Sequence, residues 1–194
     1  MWPIKIRMTS LSLHLLLFLC AGSVFAQSSI ESTKRFDKEG LRFEYASNWQ
    51  VRDQRSGDVQ QAVLTEKDLD AQIMITVLQS PVNSTKEEEA ARHAVVEPAI
   101  AMLLKQYSDA GIQIERAPLS GEVARQRAEG LELRFAVDGF PGTTQIYWLV
   151  LDKRMVNLIF IRPEKTAPLA TVCWDLIRHT IGVNKVDTKG STKQ

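Results

Sequence analysis

Alternating apolar and polar positions predict strands along most of this chain. Leu41, Phe43 and Tyr45 alternate with polar residues at the period of a half-buried strand, and Trp49 opens a second strand after a turn. A loop is expected over 52–60, where the residues are polar and include a glycine. Further strands are predicted over 62–65, 73–78, 112–119, 122–126, 129–137, 143–151 and 156–161. Because the strand over 73–78 is apolar on both faces, we expect it inside a sheet.

Helical spacing appears in two segments, over 85–110 and over 167–180. Ser84 and Glu87 have the spacing of a capping box at the start of the first helix, and Pro98 should kink or divide it. Strand runs joined by short turns form antiparallel sheets, and helices cover their apolar faces. The pattern therefore predicts one α+β domain, an antiparallel β-sheet packed between α-helices in an α/β/α sandwich.

The N-terminus has the composition of an export signal. Lys5 and Arg7 precede an apolar run over 11–19, and small residues lead to Ala26. The run is shorter than the about 20 residues that a transmembrane helix needs, so no membrane span is expected. We predict a signal peptide over 1–26 that is cleaved after Ala26, and a periplasmic or secreted bacterial protein.

The mature chain then divides into three parts. The polar residues 27–38 predict a flexible lead-in, residues 39–183 the folded domain, and the polar residues 184–194 a disordered tail.

The two cysteines bear on membrane attachment and redox chemistry. Cys20 ends the apolar run, as the lipidated cysteine of a bacterial lipoprotein does, but Leu19 precedes it where a small residue is usual. A lipid anchor at Cys20 is therefore the disfavoured alternative to soluble export. Cys173 remains alone after cleavage, so no intramolecular disulfide forms. It lies in an apolar stretch that predicts a buried, unreactive side chain.

Charge argues against nucleic acid as a partner. The chain has 24 basic and 23 acidic side chains, and loss of Lys5 and Arg7 with the signal changes the net charge from +1 to −1. The sequence contains no basic block. Proteins that bind nucleic acid generally concentrate positive charge on one face.

The start of the folded domain resembles a known family. Residues 40–49, Gly40-Leu-Arg-Phe-Glu-Tyr-Ala-Ser-Asn-Trp49, are similar to the opening motif of the PsbP-like superfamily, whose members include photosystem II PsbP and DcrB-like exported bacterial proteins. Ala46 stands where that motif commonly has proline. The order of predicted elements extends the resemblance over about 39–182. It implies an antiparallel sheet between helical layers but no particular function, because members of one fold bind unrelated partners.

No motif predicts catalysis, a metal or a cofactor. His93 and His179 each lie alone on a predicted helix, without further ligands at metal-binding spacing. The acidic residues over 66–70 lack the glycine and the distant glutamate of an EF-hand loop, so we interpret them as a solvated turn. No nucleophile elbow or phosphate-binding loop occurs.

Phe140 is the candidate interaction residue. It is a large apolar side chain in the turn over 138–142, where polar residues are expected. It could form a partner-binding tip, or it could fold back over the edge of the sheet.

The absence of catalytic motifs favours a non-enzymatic periplasmic binding or assembly module with an unknown protein partner. The alternative is a small-molecule or lipid carrier with a pocket between the sheet and the helix near Pro98. A hydrolase is the third hypothesis.

Overall fold

The structure is a computed structural model that describes residues 32–184. Within this range it contains ten strands and three α-helices. The strands are β1 (Thr33–Lys38), β2 (Leu41–Ala46), β3 (Gln50–Ser56), β4 (Val59–Glu66), β5 (Ala71–Leu78), β6 (Ile114–Val123), β7 (Gln126–Val137), β8 (Phe140–Leu151), β9 (Arg154–Pro163) and β10 (Gly182–Val183). The helices are α1 (Thr85–Ala91), α2 (Glu97–Asp109) and α3 (Ala167–Thr180), with a π-helical turn (Arg92–Val96) and a 3-10 helix (Glu164–Thr166).

The main sheet has seven strands in the order β3-β4-β5-β9-β8-β7-β6. Every neighbouring pair is antiparallel. Helices α1 and α2 pack on one face of this sheet, and α3 packs on the other. The predicted α+β fold with a sheet between helical layers is therefore confirmed, and β5 is an inner strand as its two apolar faces indicated.

The loop predicted over 52–60 is wrong, because β3 and β4 form a tight hairpin there. Ser56 pairs with Val59, so only Gly57 and Asp58 connect the two strands. Strand β3 lies at the edge of the sheet, and most of its side chains are exposed. An exposed edge strand does not need alternating apolar residues, so its sequence looked like a loop.

A second sheet lies beside α3, in the order β1-β2-β10. It corrects the flexible lead-in predicted over 27–38, since Thr33–Lys38 forms β1. The reason is Phe36, which is 7% exposed and stacks on Phe43 with 4.8 Å between ring centroids. The buried ring of Phe36 therefore anchors β1, although the rest of this strand is polar and exposed. The signal peptide over 1–26, Cys20, and residues 27–31 and 185–194 lie outside the described residues.

The first helical segment is divided next to Pro98, as predicted. At its start the Ser84 hydroxyl accepts a hydrogen bond from the Glu87 N–H at 3.3 Å, as in a capping box. The reciprocal bond differs, because the Glu87 carboxylate accepts from the N–H of Asn83 and not from the N–H of Ser84. The π-helical turn ends two residues before Pro98, and the Glu97 N–H donates to the Arg92 carbonyl. Proline lacks an N–H, so a change of hydrogen-bond register at this point is expected.

Cys173 is buried on α3 and is 1% exposed. Burial raises the pKa of its thiol from 9.0 to about 11, although a hydrogen bond with the Ala46 backbone opposes the shift. The sequence prediction of an apolar, buried cysteine is confirmed.

We therefore expect Cys173 in the folded protein to resist a thiol reagent at pH 8, because the reactive thiolate is scarce and shielded. Because the folded-state pKa is raised, the thiol's contribution to stability is present below about pH 9 and is lost as pH rises towards 11. The measurement is the labelling rate in buffer compared with the rate in denaturing urea. Equal rates in the two conditions would contradict the assignment.

Candidate binding groove at the β7–β8 hairpin

A half-open groove of about 670 Å³ lies on the α2 side of the main sheet. Tyr107 from α2 and the sheet residues Phe135 and Ile161 provide three of its apolar walls. Phe140 and Pro141, at the start of β8, also line it. Most of its exposed lining is therefore carbon. A concave, mainly apolar surface of this size is typical of a ligand-binding site.

Tyr107 is fixed in position at the groove. Its hydroxyl oxygen lies 2.7 Å from Oγ1 of the buried Thr144, and its ring centroid lies 4.8 Å from that of Phe135. Burial raises the pKa of the Tyr107 hydroxyl, so this group is neutral at physiological pH. With its hydroxyl satisfied by Thr144, Tyr107 contributes mainly ring surface to the groove.

Gly142 allows the Phe135 ring to lie flat against β8. A Cβ atom at position 142 would be 2.6 Å from Cε2 of Phe135 and 3.1 Å from the Arg162 carbonyl oxygen. Both approaches are shorter than ordinary van der Waals contact. The shape of the groove wall therefore depends on the missing side chain at this position.

Phe140 is 67% exposed and follows the two-residue turn Asp138–Gly139. Both turn residues have positive φ, 52° and 82°, which is the geometry of a type I′ hairpin. The ring therefore remains accessible instead of folding back under cover. Of the two positions considered for Phe140, the structure shows the exposed one. A role of Phe140 in binding stays a prediction.

Charged side chains surround the apolar groove. Asp70, Asp138 and Glu164 are exposed along its lining, and Lys165 is next to Glu164. Arg162 also lines the groove, but its guanidinium carbon lies 5.7 Å from the Phe160 ring centroid. Phe160 stacks on Trp174 of α3, on the opposite face of the sheet. The side-chain charge of Arg162 is therefore directed away from the groove.

The histidines considered from the sequence make local contacts. Nδ1 of His93 lies 2.6 Å from Oε2 of Glu97, and Nδ1 of His179 lies 2.6 Å from the Asp175 carbonyl oxygen. In the acidic turn, the Glu66 carboxylate accepts from the backbone N–H groups of Asp68 and Leu69. Among residues 32–184, no three His, Cys, Asp or Glu side chains are grouped so that they could hold a metal ion.

Sequence reasoning located one of the groove residues and missed the others. Phe140 was found because an aromatic residue in an Asp-Gly turn is unusual. Phe135 and Ile161 follow ordinary strand alternation, so nothing in the sequence distinguishes them from core residues. The groove lies at Tyr107, towards the opposite end of α2 from Pro98, and the pocket predicted near Pro98 stays a prediction.

No model of a known protein family matches this chain. No curated protein sequence matches it either. A solved structure from Bacteroides thetaiotaomicron aligns with a TM-score of 0.51 and 14% identity, over 81% of this chain and 50% of that one. PsbP from the cyanobacterium Synechocystis aligns with a TM-score of 0.49 and 16% identity, over 81% of this chain and 96% of that one. LpqN of Mycobacterium tuberculosis, which is involved in cell envelope biogenesis, aligns with a TM-score of 0.43 and 9% identity, over 79% and 91%.

At these identities the comparisons concern the fold and assign no activity. In the part of the chain that the structure describes, no helix combines the length and apolar character needed to cross a membrane. The chain has the α+β fold that the sequence predicted, and it shares this fold with the solved structure from Bacteroides thetaiotaomicron.

Proposed function

We propose that this protein is an exported, non-enzymatic binding module that holds an apolar segment of a protein partner in the groove at the β7–β8 hairpin. One observation carries the proposal: Phe140 is 67% exposed beside an apolar groove of about 670 Å³. An exposed aromatic side chain next to a concave apolar surface is typical of the centre of a protein interface.

The surroundings of Phe140 support this role. The tight turn over Asp138 and Gly139 fixes the backbone that carries the ring at the start of β8, so little backbone freedom is lost when a partner binds. Tyr107 and Phe135 provide rigid apolar surface beside it. A partner side chain placed between these rings would be removed from water without a large conformational change in this protein.

Export is part of the same proposal and rests on the signal predicted over 1–26. It is tested by sequencing the N-terminus of protein recovered from the periplasm or medium of its host. A mature protein that begins at Gln27 is expected, whereas one that begins at a lipidated Cys20 would replace soluble export with anchoring.

We predict that Phe140→Ala weakens partner binding about 10- to 100-fold, as the loss of an interface hot spot does. The free energy of unfolding should change by less than about 0.5 kcal/mol, because the side chain is already exposed. The measurement is recovery of crosslinked partners from the native envelope, followed by titration of the partner that is recovered.

Leu169→Ala is the matched control, since Leu169 is 52% exposed but lies on α3, on the other face of the sheet. It should leave recovery unchanged. Equal recovery with wild-type protein and with Phe140→Ala would overturn the groove as the binding site.

A small apolar ligand is the second candidate, and the groove volume favours it. About 670 Å³ falls within the range of about 300–1,000 Å³ that small-molecule pockets occupy. Native mass spectrometry of protein isolated from its own host should then show a retained ligand mass that disappears in Phe135→Ala. A measured mass equal to that of the polypeptide alone, together with a recovered protein partner, would favour the protein-binding role.

A further inference from the structure

We infer that the groove selects apolar protein segments that are flanked by basic residues. The inference rests on the proposed function and adds the charge of the partner to it. It comes from the charged side chains around the groove, which the apolar lining alone does not explain.

Three carboxylates lie along the groove, on Asp70, Asp138 and Glu164. All three residues are exposed, and within residues 32–184 none of them forms an ion pair. The charge of Lys165 opposes them, while the guanidinium of Arg162 lies against Phe160 on the other face of the sheet. The groove therefore carries a net negative charge that side chains of this region leave uncompensated.

The backbone conformation at two of these positions explains why a short polar residue is present, but it does not explain why that residue is charged. Asp70 and Asp138 have φ values of 50° and 52°, a left-handed region that asparagine adopts as readily as aspartate. Asparagine would meet the same conformational need without a charge. The acidic side chains are thus free to act on a ligand, and exposed charges beside an apolar surface favour partners of opposite sign.

The half-open shape of the groove favours a polypeptide segment as the occupant. An enclosed cavity would hold only a small molecule, whereas a half-open groove leaves the bound residues in reach of solvent, so a chain can continue beyond them. The apolar residues of such a segment would contact Tyr107, Phe135 and Phe140. Basic residues on either side would then lie near the carboxylates.

The test uses synthetic peptides that share a Leu-Phe-Leu core and differ only in flanking Lys, Gln or Glu residues. Calorimetric titration at low salt should rank the affinities Lys above Gln above Glu, with about a tenfold difference between the first and the last. The difference should shrink in high salt, because the Debye length falls from about 10 Å at 0.1 M to about 3 Å at 1 M.

The charge variant combines Asp70→Asn, Asp138→Asn and Glu164→Gln, which keep side-chain size and the left-handed turns. It should lose the preference for Lys flanks, and because Lys165 remains it should bind the Glu-flanked peptide at least as tightly as the Lys-flanked one. Lys165→Gln should have the opposite effect and strengthen the preference for Lys. The matched control is Asp152→Asn, an exposed aspartate with a φ of 46° in the β8–β9 turn, at the far end of that hairpin from Gly142 and Pro163. It should leave the ranking unchanged.

The outcomes separate this inference from the proposed function. Equal affinity for all peptides, lost in Phe140→Ala, would overturn the charge selection and support the groove as a binding site. Failure of every peptide to bind would overturn both. Binding of dodecyltrimethylammonium without binding of the Lys-flanked peptide would also overturn the inference, because the occupant would then be a small cationic amphiphile.

Discussion

Replacement of Trp174 by alanine should lower the free energy of unfolding by about 3–5 kcal/mol, the usual cost of deleting a fully buried large aromatic side chain. Trp174 is 1% exposed, and its ring centroid lies 5.0 Å from that of Phe160 and 6.1 Å from that of Tyr147. These contacts join α3 to β9 and β8. Their loss would leave a cavity between the helix and the sheet.

The cost should come from packing and not from hydrogen bonding. Within the described residues, Nε1 of Trp174 has no hydrogen-bond partner, so the substitution removes no such bond. Urea unfolding followed by circular dichroism measures the change. Leu169→Ala on the same helix, where the side chain is 52% exposed, should change stability by less than about 0.5 kcal/mol. A Trp174→Ala change below about 1 kcal/mol would show that α3 packs differently.

Gly142→Ala should both destabilise the protein and close the groove. The new methyl group would overlap the Phe135 ring at 2.6 Å and crowd the Arg162 carbonyl oxygen at 3.1 Å. The ring can move but the strand backbone cannot, so Phe135 should be pushed away from β8. Overpacking of this kind costs about 1–3 kcal/mol.

Displacement of Phe135 should also disturb Tyr107, whose ring lies 4.8 Å away, and binding to the groove should weaken by at least about tenfold. The double variant Gly142→Ala with Phe135→Ala provides the control. Removing the ring relieves the overlap, so it should be more stable than the sum of the two single changes predicts. Strict additivity of the two changes would contradict the proposed contact.

The fold was largely predictable because most strands have one buried face. Leu41, Phe43, Tyr45 and Trp49 were expected in the core; Tyr45 is only half-buried, and the other three are at most 3% exposed. The wrong predictions concern strands in which packing does not require alternating apolar and polar residues. Strand β3 is an exposed edge, and β1 is held by the single ring of Phe36, so neither carries an alternating pattern.

The groove was predictable only at its exposed residue. Phe140 is noticeable because it breaks the rule that turns are polar. The contact of Phe135 with Gly142 joins residues on different strands, and Tyr107 comes from a helix. Such a surface depends on register and helix placement, which a single sequence does not specify.

The two-residue strand β10 places a constraint on the order in which this protein can fold during synthesis. Gly182 and Val183 pair with Arg42 and Leu41, and the Asn184 N–H donates to the Gly40 carbonyl at 2.7 Å. One edge of β2 therefore stays unpaired until the ribosome adds residues that follow α1, α2 and α3 in the sequence. Contacts this distant in sequence form late, because the intervening chain must first be ordered. A nascent chain of this protein should thus stay incompletely folded until β10 leaves the ribosome.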